Sequence, residues 1–105
     1  MRFIETPIFT KAIDKLLSHD EFMALQLALL ARPNLGSVIR GTVGLRKMRW
    51  SRAGSGKRGG LRVIYYWDLS TESFYLLYAF PKSAREDLTA AQLRTLSRLV
   101  QEEFQ

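Results

Sequence analysis

The sequence predicts an α+β fold: a small, mainly antiparallel (mixed), twisted sheet of about four or five strands, with two N-terminal helices and one C-terminal helix. Three observations carry this. Leu61 to Asp68 and Ser73 to Phe80 are runs of aromatic and β-branched residues separated by a short polar turn. Such a pair reads as a central hairpin buried on both faces. Apolar residues recur at helical spacing near both ends of the chain, each time behind a cap signal. Finally, 105 residues with 47% apolar content leave room for one core, so residues 1–105 form a single domain.

Each element follows in order. Arg2 to Glu5 is a short strand. Thr6-Pro7 caps and opens a helix, because proline lacks only an N–H that has no partner in the first turn. Ile8, Phe9, Ala12, Ile13, Leu16 and Leu17 form its apolar stripe. Ser18 and Glu21 make a capping box for a second helix, which carries Phe22, Leu25, Leu29 and Leu30 and stops before Pro33. Asn34-Leu35-Gly36 turns the chain into a small strand at Val38 and Ile39. Leu45 to Trp50 is a charged strand in which Met48 and Trp50 alternate; Leu45 is out of phase with them, which predicts a bulge near Arg46. Ser51 to Gly60 holds four glycines and reads as a flexible loop. After the hairpin, Thr89 and Gln92 form another capping box for a last helix bearing Leu93, Leu96, Leu99, Val100 and Phe104. The economical packing gathers the helices on one face of the sheet.

Charge is the most informative feature for function. Arg40, Arg46, Lys47, Arg49, Arg52, Lys57, Arg58 and Arg62 fall in one 23-residue stretch with no acid. The formal +6 belongs to this stretch, since the rest of the chain carries more acids than bases. A patch of one sign calls for a polyanion or an acidic protein. Strand–loop–strand geometry would bring its two ends side by side. No cysteine is present and His19 is the single histidine, which excludes thiolate metal sites and the paired-histidine machinery of many ribonucleases. No metal or other cofactor is expected. No apolar run approaches a membrane span, and no signal peptide opens the chain; a cytoplasmic protein is expected.

Arg62 is the sharpest single residue. It interrupts an apolar strand, where an unpaired arginine is rare. Two readings stand: a buried pair with Asp68, Glu72 or another carboxylate, or a clamp on the non-bridging oxygens of a phosphate. Lys82, just past Pro81, is expected to flank the same surface. Trp50 and Tyr66 are the aromatics to watch for base stacking.

The run Gly41 to Trp50, then Gly56 to Tyr66, then Phe74 to Leu77 and Pro81 to Thr89, reads G-L-R-K-x-R, G-K-x-G-G-x-R-x-I-Y-Y, F-Y-L-L and P-K-S-A-R-E-D-L-T. In order and spacing these blocks resemble the RelE/ParE superfamily of toxins, nearest the HigB-like branch of the RelE group. The resemblance implies a type II toxin that cuts mRNA on the ribosome, held inactive by a cognate helix-turn-helix antitoxin of HigA-like type. Operator DNA would be met only through that antitoxin, and no membrane is involved. Arg62 falls on the family's arginine at the head of the central strand, Lys57 and Arg58 on its basic loop, and Lys82 on the basic residue after the last strand. These four are the expected catalytic residues. Arg46, Lys47, Arg49 and Arg52, with Trp50 and Tyr66, are the expected RNA or ribosome contacts. Where the best-known members carry a second basic residue and a late tyrosine, this chain has Ser83 and Asp87-Leu88-Thr89. Gyrase inhibition of the ParE type, without catalysis, is the alternative activity; a non-toxic basic relative of the fold or a DNA-binding corepressor is the third reading.

Overall fold

The computed structural model describes residues 1–51, 60–84 and 87–103. The element order is β1 (Arg2–Glu5), α1 (Pro7–Leu16), α2 (His19–Ala31), β2 (Ser37–Val38), β3 (Arg46–Ser51), β4 (Gly60–Asp68), β5 (Ser73–Pro81) and α3 (Ala90–Glu103). Five strands form one mixed sheet in the order β1-β5-β4-β3-β2. β1 runs parallel to β5, and the remaining neighbours are antiparallel.

The helix starts are built as their residue types dictate. Thr6 Oγ1 accepts the Phe9 N–H at 3.1 Å and donates to the Leu77 carbonyl at 2.8 Å, which fastens the α1 start to β5. Ser18 and Glu21 exchange the two bonds of a capping box, and Thr89 and Gln92 do the same. Each such cap satisfies N–H groups that a helix leaves without internal partners.

The helices do not share a face, contrary to the one-face packing expected above. Phe9, Ile13, Leu17, Leu25 and Leu29 of the α1–α2 layer join Met48, Leu61, Val63, Tyr65, Phe74 and Leu76 in one core. Val100 and the flanking Leu93, Leu96 and Leu99 of α3 cover Leu45, Ile64, Tyr75, Leu77 and Phe80 on the other side. The continuous apolar runs of β4 and β5 require this arrangement, because successive side chains point to opposite faces and both sets must be covered.

The same fact corrects the bulge expected near Arg46. The β3–β4 register is unbroken from Arg46↔Tyr65 to Ser51↔Gly60. Leu45 is out of phase with Met48 because it serves the α3 core rather than the α1–α2 core. The irregularity lies instead between Ile64 and Tyr65, where the β5 partner steps from Tyr78 to Leu76 and Leu77 is the extra residue.

Tyr65 ties the α2–β2 connection to the underside of the sheet. Its buried hydroxyl accepts the Gly36 N–H and donates to the Pro33 carbonyl, each at 2.8 Å. Gly36 lies so close that a Cβ there would sit 2.8 Å from the Tyr65 ring and 2.9 Å from the Lys47 carbonyl. No helix among the described residues is long and apolar enough to cross a membrane.

Candidate functional site

Alternation along β3 sorts the basic cluster into two groups. Arg46, Met48 and Trp50 pair with Tyr65, Val63 and Leu61, all on the α1–α2 face. Lys47 and Arg49 pair with Ile64 and Arg62 and so share the α3 face. Lys82 reaches the same place because its N–H donates to the Gly60 carbonyl at 3.0 Å, which holds the end of β5 against the head of β4.

The result is a polar pocket of about 350 Å³ lined by Lys47, Arg49, Arg62, Lys82 and Asp87. Four cations thus converge on one concavity, three of them from adjacent strands and one from the turn after β5. Arg62 forms the floor, with only 8% of its surface exposed. Neither Asp68 nor Glu72 pairs with it: Asp68 is engaged by the Ser70 backbone N–H and hydroxyl, and Glu72 is exposed in the β4–β5 turn with φ of 51°. A guanidinium is a strong candidate for such a floor because it keeps its charge under all physiological conditions and presents a planar fork of donors.

Asp87 was not singled out as a site residue from the sequence. Its Oδ2 accepts a hydrogen bond from Lys47 Nζ at 2.8 Å, and its Oδ1 accepts the Leu88 N–H at 3.0 Å. The Lys47 ammonium holds this carboxyl below the usual carboxylate range; burial opposes the shift, while the Leu88 N–H and the Arg62 guanidinium support it. Asp87 therefore stays ionised at neutral pH. The signal available in the sequence was its place two residues before the Thr89 cap, at the end of the loop that begins with Lys82.

The other expected site residues fall as follows. Arg46 faces away from the pocket and donates through Nη1 to the Gly36 carbonyl at 2.7 Å. Trp50 is half-buried against the α1–α2 core, on that same face. Tyr66 shares the Arg62 face but lies four positions further along β4, stacked on Tyr75 with ring centroids 6.1 Å apart. Arg52, Lys57 and Arg58 lie outside the described residues. His19 is exposed at the start of α2, away from the cations. A separate apolar cleft of about 210 Å³, bounded by Ile8, Tyr78, Leu88 and Leu96, has no charged side chain among its described lining residues.

A family model described as the RelE toxin of the RelE/RelB toxin–antitoxin system matches residues 8–105. The chain belongs to the RelE toxin family. It is accordingly a toxin of a toxin–antitoxin pair, and an antitoxin is its partner. The described lining of the pocket lies within the matched segment, and this RelE toxin assembles it from β3, β4 and the segment that follows β5.

Proposed function

We propose that this RelE toxin is a ribosome-dependent mRNA endonuclease of the HigB-like branch, acting in the cytoplasm and restrained by a helix-turn-helix antitoxin of HigA-like type. The observation that carries the reading is Arg62: a nearly buried guanidinium on the floor of a pocket whose rim adds Lys47, Arg49 and Lys82. Such an arrangement suits a phosphodiester, which offers paired oxygens to the guanidinium fork and one negative charge to the surrounding ammonium groups.

The chemistry needs no metal and no histidine. The RNA supplies its own nucleophile, the 2′-hydroxyl next to the scissile phosphate. Its oxygen forms a bond to phosphorus, the bond to the 5′-oxygen breaks, and a 2′,3′-cyclic phosphate and a 5′-hydroxyl result. One proton leaves the 2′-hydroxyl and one reaches the departing 5′-oxygen. Arg62 stabilises charge that builds on the phosphoryl oxygens, an effect worth about 10²–10³-fold for one well-placed donor. Lys82, with Lys57 from the loop, assists the proton transfers, worth about 10²–10⁴-fold. Alignment of the 2′-hydroxyl with the leaving oxygen falls to the ribosome, which holds the codon in place. Arg49 and Lys47 contribute contacts to neighbouring phosphates, and Arg58 and Arg52 extend these from the loop.

The test is expression of the toxin in growing cells with total RNA and the DNA-damage response followed together. Cleaved, translated messages without damage induction are expected, and Arg62→Ala abolishes both the cleavage and the growth arrest. Intact messages with strong damage induction would instead establish gyrase poisoning of the ParE type.

A further inference from the structure

The one carboxylate in the described lining has no place in the phosphate chemistry outlined above, yet it is held firmly. Asp87 has both oxygens engaged, Oδ2 by Lys47 Nζ and Oδ1 by the Leu88 N–H. It sits at the end of the β5–α3 connection, with Lys82 at the other end of that connection in the same pocket. Half of the Asp87 side chain and about a quarter of the Lys47 side chain remain exposed, so water and an incoming anion can reach the pair. The Lys47–Asp87 ion pair is close, with 2.8 Å between nitrogen and oxygen, in a chain with sixteen cationic side chains. It joins the one acid among the described lining residues to one of the four cations there.

We propose that Asp87 is a specificity-determining residue: its carboxylate occupies the anion position beside Lys47 in the free toxin, and an RNA phosphate must displace it to enter. The inference rests on the pocket being the phosphate site of the proposed reaction. Its physical content is competition. A phosphodiester carries the same charge as a carboxylate and offers the same kind of paired oxygens, so both seek the same ammonium group. Before displacement, the incoming phosphate meets a like charge and one cation fewer than the sequence suggests. Short free RNA gains too little to open the pair. RNA held by further contacts, as on a large ribonucleoprotein, makes up the difference. Asp87 thus favours presented RNA over free RNA without altering the groups that act on the scissile bond.

The experiment uses the purified full-length toxin and a short single-stranded RNA methylated at every 2′-oxygen, which binds but has no nucleophile. Affinity is measured by fluorescence anisotropy across a salt series. Asp87→Asn keeps an oxygen for the Leu88 N–H and removes the charge. It is expected to bind on the order of tenfold more tightly than wild type at physiological salt. The dependence of log affinity on log salt should steepen by about 0.7, the contribution of one further neutralised phosphate on a single strand. Unchanged or weaker binding with an unchanged slope overturns the proposal.

A second comparison does not depend on Asp87→Asn folding. Because Lys47 is already neutralised in the free protein, Lys47→Met should weaken RNA binding less than Arg49→Met does; the reverse order overturns the proposal. Arg62→Ala separates the two levels of inference. If it binds the methylated RNA as wild type does, the phosphate site itself is misplaced and the functional reading falls with it. If it binds more weakly while Asp87→Asn matches wild type, the role of Asp87 alone falls.

Discussion

Tyr65→Phe is a single-atom test of how the site is held in place. The Tyr65 hydroxyl joins β4 to the Pro33–Gly36 turn through two bonds, one accepted from Gly36 N–H and one donated to the Pro33 carbonyl, each at 2.8 Å. Gly36 is buried, so the variant leaves its N–H without a partner and beyond the reach of bulk water. An orphaned buried donor costs about 1–3 kcal/mol. The Pro33 carbonyl belongs to a half-buried residue and can turn to solvent, so it adds little. The expected loss is about 2 kcal/mol, read as a lower urea midpoint with an unchanged slope. The pH dependence adds a second handle. Burial raises the Tyr65 phenol above its ordinary value, with the Gly36 N–H and Arg46 opposing. The folded state therefore holds this proton more tightly than the unfolded chain. Its contribution is complete below about pH 10 and is lost as pH rises through the folded value. The difference between wild type and Tyr65→Phe should be constant through neutral pH and shrink above about pH 10. An unchanged midpoint at neutral pH would refute the reasoning, and so would a difference that grows in alkali.

Gly36→Ala should destabilise by about 1–3 kcal/mol in the same urea assay, because its Cβ would lie within 2.9 Å of the Lys47 backbone as well as against Tyr65. Arg46→Met should lower stability by about 1–3 kcal/mol through loss of its bond to the Gly36 carbonyl, while leaving RNA affinity and its salt slope unchanged. Arg49→Met should do the opposite, with stability kept and the salt slope of RNA binding reduced by about 0.7. In acid, the Asp68 and Asp87 carboxyls are both held below their ordinary value, Asp68 chiefly by the Ser70 side chain and Asp87 chiefly by Lys47. Their contributions are present above the unfolded value of about 4 and are lost as pH falls through the lower folded values. Acid titration of Asp87→Asn should accordingly show a shallower loss of stability in that window than wild type.

The parts of the fold that were legible in the sequence are the parts decided locally. Thr6-Pro7, Ser18 with Glu21 and Thr89 with Gln92 each fix a helix start through contacts three residues apart, and each appears as expected. The hairpin of β4 and β5 was legible for a similar reason, since its strands are neighbours in sequence and rich in strand-forming residues. What was not legible depends on pairing at long range. The partner of β1 is β5, about seventy residues away, and nothing within Arg2–Glu5 names it. The run from Phe74 to Phe80 is apolar at every position, so it offers no phase from which to place the extra residue Leu77. Helices on both faces follow from that same uniformity.

The candidate site divides along the same line. That the cations cluster was evident from composition, and Arg62 was evident as a charge within an apolar strand. Which cations share a concavity depended on strand parity and register. Lys47 and Arg49 face Arg62, whereas Arg46 and Trp50 do not, a consequence of the side-chain period of two. Parity within β3 was available from the sequence alone, but the anchor that makes it useful, Arg49 opposite Arg62, was not. Asp87 was hidden for a further reason: it lies between β5 and α3, in a segment tied to the sheet at one end by the Lys82–Gly60 bond and at the other by the docking of α3.

The most direct measurement is the single-turnover cleavage rate of an mRNA codon held in the ribosomal decoding site, followed by primer extension for wild type and Arg62→Ala. Wild type should cut within the presented codon. Arg62→Ala should be slower by about 10²–10³-fold while still folding and still binding the antitoxin. A folded Arg62→Ala that cuts at the wild-type rate, or a wild type that leaves the message whole, would contradict the assignment of this pocket to the scissile phosphate.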